Sequence, residues 1–168
     1  MLYHRTVCEE AKDELLDLID WCYRKIMILT RDRPERLVTE ISKEEELDFQ
    51  IKELDFAMGI CSISMIRFIT DHLQSLNLAV IQQLVEQCDI LCVLIPLMES
   101  KPWFKDSKSS KLLYEDQHWQ PYKDSSKMPK IEAQIWLTVY NLFMNPDVRN
   151  KYELNSFRKN NLLRVNIM

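Results

Sequence analysis

Apolar residues recur every three or four positions along most of this chain, the spacing of helices that bury one face. Between Glu9 and about Thr30 they fall at Ala11, Leu15, Leu18, Ile19, Cys22, Ile26 and Leu29, which predicts one helix. Glu9, Glu10, Asp13 and Glu14 open it while Arg24, Lys25 and Arg31 close it, so its charges complement the helix dipole. Asp20 and Arg24 are spaced for an ion pair across one turn. Pro34 marks the stop, and the charged, aperiodic stretch from Arg31 to about Ser42 reads as a flexible linker. A longer helix is predicted from Ser42, an N-cap with Glu45 three residues on, to about Asp71. Its expected stripe is Leu47, Ile51, Leu54, Met58, Cys61, Met65, Phe68 and Ile69. Gly59 lies inside this helix, where glycine costs up to about 1 kcal/mol relative to alanine, so close packing against a second helix is the expected reason for it.

Two shorter helices follow, about Asn77 to Gln87 and Asp89 to Ser100, the second with Asp89 as N-cap. Leu91, Cys92, Leu94, Ile95, Leu97 and Met98 make that second helix apolar nearly all round, so it should be the most buried element, bent at Pro96. From Lys101 to Lys130 the periodicity fails: Pro102, Pro121, Pro129, serines at 107, 109, 110, 125 and 126 and seven lysines interrupt it. The interior of this connection, Lys111 to Tyr122, is too aromatic for plain linker and is expected to pin to the helical body as a short hairpin. A third long helix begins after Pro129, with Ile131, Ile135, Val139 and Leu142 on one line and Trp136, Tyr140 and Phe143 beside it. It stops before Asn145-Pro146. Asp147 to Leu154 and Asn155 to about Asn166 read as two more helices, the latter with Phe157, Leu162, Leu163 and Val165 apolar.

Six or seven helices without a convincing strand order predict an all-α fold in one domain spanning residues 1–168, with 101–130 as an irregular, aromatic-rich connection within it. A bundle and an armadillo- or HEAT-like superhelical stack both fit, since the helix pairs have the size those solenoids use.

Composition narrows the function. Gly59 is the only glycine in 168 residues, which disfavours phosphate-cradling loops and tight hairpins. A net charge of -4, from 26 acids and 22 bases, offers no overall attraction to nucleic acid or an anionic membrane. Seven acids from Glu40 to Asp55 against Lys43 and Lys52 make the start of the second long helix acidic, a solvated face by default. The longest apolar run, Ile90 to Met98, is nine residues and falls short of the roughly 20 that span a bilayer. The first residues lack the pattern of a secretory signal, so a cytosolic chain is expected. Cys8, Cys22, Cys61, Cys88 and Cys92 contain no C-x-x-C pair and read as reduced core thiols. No metal site, cofactor site or catalytic residue is expected: His4, His72 and His118 are far apart, Asp71-His72 suits a helix C-terminus, and Glu115, Asp116 and His118 read as loop residues. The basic tail, with Arg149, Lys151, Arg158, Lys159 and Arg164, lacks an RNA-binding motif. Trp103, Tyr114, Trp119 and Tyr122 are the candidate partner-binding residues, since aromatic side chains dominate interface hot spots, though core packing competes for the tryptophans, Trp136 included.

Several ordered motifs carry a resemblance: Leu18–Lys25 (LIDWCYRK), Leu54–Ala57 (LDFA), Ile66–Asp71 (IRFITD), Pro102-Trp103, His118-Trp119, Gln134–Leu142 (QIWLTVYNL) and Tyr152–Phe157 (YELNSF). In order and spacing the chain resembles the central, armadillo-like region of the zinc finger MYND domain-containing protein ten family. The resemblance implies a non-enzymatic cytoplasmic scaffold that works with chaperones and co-chaperones to assemble axonemal dynein arms for motile cilia. Dynein assembly factors and dynein chains are the further partners it implies, and centriolar satellites or the ciliary base further locations. That family carries a C-terminal MYND zinc finger and more helices on both sides; this sequence has neither, so it reads as a middle fragment without zinc ligands. The alternative is a general armadillo-type adaptor unrelated to cilia.

Overall fold

The computed structural model describes residues 2, 4–31, 42–107, 110–123 and 126–164. The linker expected between Arg31 and Ser42 falls, from 32 to 41, outside the described residues. Helix α1 (Arg5–Glu10) leads into α2 (Lys12–Ile28), so the first predicted helix is two, joined at Ala11. No side chain caps the start of α2. The predicted stripe holds, with Leu15, Ile19, Cys22, Ile26 and Leu29 all buried, and Asp20 pairs with Arg24.

Helix α3 (Lys43–Thr70) begins on the predicted capping box. The Glu45 N–H donates to Ser42 Oγ at 3.2 Å, and the Ser42 N–H donates to Glu45 Oε2 at 2.8 Å. Its buried face, however, is Phe56, Gly59, Ser62, Ile63, Ile66, Ile69 and Thr70. Of the expected stripe only Ile69 is fully buried; Leu47, Ile51 and Leu54 are exposed, as is Cys61. The reason is Gly59. A Cβ at that position would lie 2.8 Å from Leu29 Cγ and 2.9 Å from the Lys25 carbonyl oxygen. The glycine lets α2 sit against α3, and that contact decides which face turns inward.

After a 3₁₀ turn (Leu73–Ser75), α4 (Leu78–Gln82) starts on Asn77, whose side chain accepts from the Val80 N–H at 3.0 Å, and runs into a π-helical turn (Gln83–Gln87). Helix α5 (Ile90–Ser100) starts on Asp89 and buries Ile90, Leu91, Val93, Leu94, Ile95, Leu97 and Met98, the central position its composition predicted. Asp89 also holds Tyr152 and Arg158. It accepts from Tyr152 Oη at 2.9 Å and Arg158 Nε at 2.7 Å, while Arg158 Nη2 donates to the Val85 carbonyl at 3.1 Å. Helix α6 (Lys130–Met144) packs along α3 and buries Ile131, Ile135, Val139 and Leu142 as expected. Helices α7 (Pro146–Lys151) and α8 (Ser156–Arg164) complete the described chain, with α8 against α5.

The expectation of a purely all-α fold is corrected by the connection between α5 and α6. It forms a three-stranded antiparallel sheet, β1 (Phe104–Asp106), β2 (Lys111–Glu115) and β3 (His118–Pro121), in the order β1-β2-β3. The protein is therefore mostly helical with a small sheet. Strand β2 pairs with β3 through Glu115 opposite His118, so only Asp116 and Gln117 form the turn. Both have positive φ, 52° and 67°, the backbone of a tight type I′ hairpin. The scarcity of glycine thus did not prevent a tight hairpin, because aspartate and glutamine accept the left-handed conformation at a cost of roughly 1–2 kcal/mol per residue. Gln117→Gly should relieve part of that cost and stabilise the protein by about 1 kcal/mol, read as a higher midpoint in thermal unfolding.

Among the described residues no single helix is long and apolar enough to cross a membrane. The bent pair Leu78–Gln87 and Ile90–Ser100 has the length and composition, but most of its apolar side chains form the core.

Candidate partner-binding surface

The four aromatic candidates lie on or beside the sheet, with Tyr114 and Trp119 against Phe56 of α3 and Trp103 against α6. Trp103 is fully buried, and its indole N–H donates to Glu132 Oε1 at 3.1 Å. Glu132, itself buried on α6, also accepts from Lys101 Nζ at 3.2 Å. Tyr114 is buried in an aromatic cluster with Phe56, at 5.0 Å edge to face, and Trp119, at 5.2 Å. Trp119 stacks on Phe56 at 5.8 Å and is half-buried. Tyr122 is half-buried on the outer side, 5.1 Å from Phe104, over which Lys111 Nζ sits at 4.3 Å. Trp103, Tyr114 and Trp119 join this region to the helices, and of the four Trp119 and Tyr122 reach solvent.

The paired acids near the hairpin have structural partners. Lys130 Nζ bridges both Asp116 carboxylate oxygens at 3.1 and 3.2 Å, the Lys130 N–H donates to Glu115 Oε1 at 3.3 Å, and His118 Nδ1 lies 2.9 Å from the Asp116 carbonyl oxygen. These contacts tie the hairpin turn to the start of α6. Asp71 is the C-cap of α3, paired with Arg67 at 2.8 Å and accepting from Asn141 Nδ2 at 2.8 Å. Among the described residues, no cluster of three or more histidines, cysteines and acids is placed to hold a metal ion.

Two apolar surfaces were not expected from the sequence, although the start of α3 was read as an acidic, solvated face. The outer face of α6 carries Leu137, Tyr140 and Met144, 42 to 60 % exposed, with Trp136 and Phe143 half-buried alongside. No charged residue occurs between Glu132 and Asp147, and that run is the signal that marks this face: aromatic residues and methionine without charge are what interface cores favour. The second surface is the start of α3, where Leu47, Ile51 and Leu54 are 49 to 60 % exposed. Beside it a cleft of about 370 Å³ is lined by Ile28, Leu29, Phe49, Ile51, Phe56 and Pro102, with Arg31, Lys52, Glu53 and Asp55 also at its wall. Asp55 is held by Lys25 at 2.7 Å.

The cysteines are free thiols. Burial pushes the Cys22 and Cys88 thiols up to about 11, and raises Cys8 and Cys92 as well. Cys61 is exposed. With a thiol-reactive dye near neutral pH, Cys61 should react first and Cys8, Cys22 and Cys88 only on unfolding. The same shifts set an alkaline limit. A thiol that ionises near 8.5 unfolded and near 11 folded contributes its full stability below 8.5 and loses it as pH rises through 11. Thermal midpoints should therefore fall between about pH 9 and pH 11, and Cys22→Ala should shallow that fall.

These features define a mostly helical protein with an uncharged apolar face on α6 and an apolar ridge at the start of α3. Among known proteins the chain is similar to the Zinc finger MYND domain-containing protein 10 homolog of Drosophila melanogaster, at 26% identity over 164 residues. The match takes in 94% of this chain and bears out the resemblance read from the ordered motifs; the chain spans about a third, 36%, of that relative's length. No family model matches the chain, and no solved structure does.

Proposed function

We propose that the chain is the central part of a non-enzymatic, armadillo-like scaffold that recruits proteins during cytoplasmic assembly of axonemal dynein arms, together with chaperones and co-chaperones. The observation that carries this reading is the collinear match over 94% of the chain to a protein named for its MYND zinc finger. The helices support surface recognition as the mechanism: α2, α3 and α6 form a packed body whose outer α6 face, with Leu137, Tyr140 and Met144, presents apolar area to a partner polypeptide. A partner that buries Tyr140 in this face would remove apolar surface from water at roughly 25 cal/mol per Å² before association costs.

Two experiments test the proposal. Removing the gene should leave motile cilia without dynein arms by electron microscopy; normal arms after complete loss would sink the ciliary reading. In the full-length protein, Leu137→Lys with Tyr140→Lys should keep the thermal midpoint within a few degrees, because both side chains are exposed, while rescue of the arms fails. Full rescue by that variant would remove α6 as the recruiting face.

A further inference from the structure

We infer that the outer ridge at the start of α3 docks an amphipathic helix of a partner protein, apolar along one stripe and basic along its flank. The inference rests on the scaffold reading and names the chemistry of one partner. Leu47, Ile51 and Leu54 lie at helical spacings of four and three, so they form a continuous apolar ridge. All three are exposed, on the part of α3 that precedes Phe56, where the buried face of the helix begins. The ridge is not an isolated stripe. Ile51 also lines the 370 Å³ cleft, whose apolar walls come from the end of α2, α3 and Pro102, a recess sized for one large side chain inserted from a docked helix.

Charge selects the occupant. Glu44, Asp48 and Asp55 fall along one flank of the ridge, at successive steps of four and seven residues that keep them near one line, with Asp55 paired to Lys25. Glu44 and Asp48 are exposed, and Lys43 and Lys52 are the only bases between residues 43 and 55. An acidic partner would meet like charge at Glu44 and Asp48, whereas a basic one gains attraction and faster encounter there. The uncharged outer face of α6 offers no such discrimination, so the two surfaces would take chemically different partners.

The test uses the whole chain and two labelled synthetic helices of about five turns sharing one leucine stripe, flanked in one by lysine and in the other by glutamate. Fluorescence anisotropy at physiological ionic strength should show the lysine helix binding at least about tenfold more tightly. Ile51→Gln with Leu54→Gln, both at exposed positions, should weaken that binding about tenfold, while Tyr140→Ser on α6 leaves it unchanged. Glu44→Lys with Asp48→Lys should reverse the preference to the glutamate helix. Equal binding of both helices, or binding that ignores the ridge variants, would overturn the inference. So would a concentration-dependent dimer abolished by the ridge variant, since the occupant would then be a second copy. A chain that binds neither helix yet recruits partners through α6 would overturn this docking site and leave the scaffold reading standing.

Discussion

Replacing Gly59 by valine should destabilise the protein by about 3 kcal/mol and lower its thermal midpoint by roughly 6–12 °C. In an exposed helix the exchange of glycine for a residue with a side chain would stabilise, because glycine gives up more backbone freedom on folding. Here that gain is outweighed by contact. The first added carbon would sit 2.8 Å from Leu29 Cδ2 and Cγ and 2.9 Å from the Lys25 carbonyl oxygen. Leu29 can turn aside, but a backbone oxygen moves only with its helix, so α2 and α3 must separate. Separation loosens Ile26, Ile63 and Ile66, all fully buried, and strains the Lys25–Asp55 pair at 2.7 Å. Gly59→Ala should follow the same direction with a smaller loss, about 1 kcal/mol, once its helix-propensity gain is counted. A midpoint raised by alanine would show that the helices are not held by this close approach.

What local chemistry writes into the sequence was legible. Ser42 with Glu45, Asn77 and Asp89 each signal a helix start through a side chain that can accept a nearby backbone N–H, and each does so in the structure. Gly59 was legible for the same reason: an interior glycine is expensive unless something approaches it. The inward face of α3 was not, because two stripes coexist on that helix. The one starting at Leu47 is more regular, but the one through Phe56, Gly59, Ile63 and Ile66 meets α2, and tertiary contact outranks periodicity. The sheet was half legible. Aromatic density marked Lys111 to Tyr122 as anchored, yet Leu112, Leu113 and Tyr114 run together without alternation, and the Asp116-Gln117 turn carries no glycine to announce it. The candidate site divided along the same line. Aromatic identity pointed to Trp103 and Tyr114, which burial assigns to the core, whereas the exposed faces of α3 and α6 appear only when the helices are packed and the remaining apolar surface is seen.

Trp103→Ala should cost about 4 kcal/mol, the largest loss expected from any single truncation in the connection between α5 and α6. Two terms add. The indole is fully buried, so its removal leaves a cavity that the surrounding sheet and α6 only partly fill. It also strips a donor from Glu132, a buried carboxylate whose remaining described partner is Lys101, at 3.1 and 3.2 Å. An under-satisfied buried charge is itself costly. The two terms separate experimentally. Trp103→Phe keeps most of the volume and loses the N–H, so it should cost about 1–2 kcal/mol, whereas Glu132→Leu, which removes the acceptor, should cost less in the Trp103→Phe background than in the wild type because the indole bond is already gone. Chemical denaturation of the four proteins gives the coupling directly. Additive losses would mean that Trp103 serves only as volume; a coupling of about 1 kcal/mol or more identifies the indole–carboxylate bond as what fixes the start of β1 against α6.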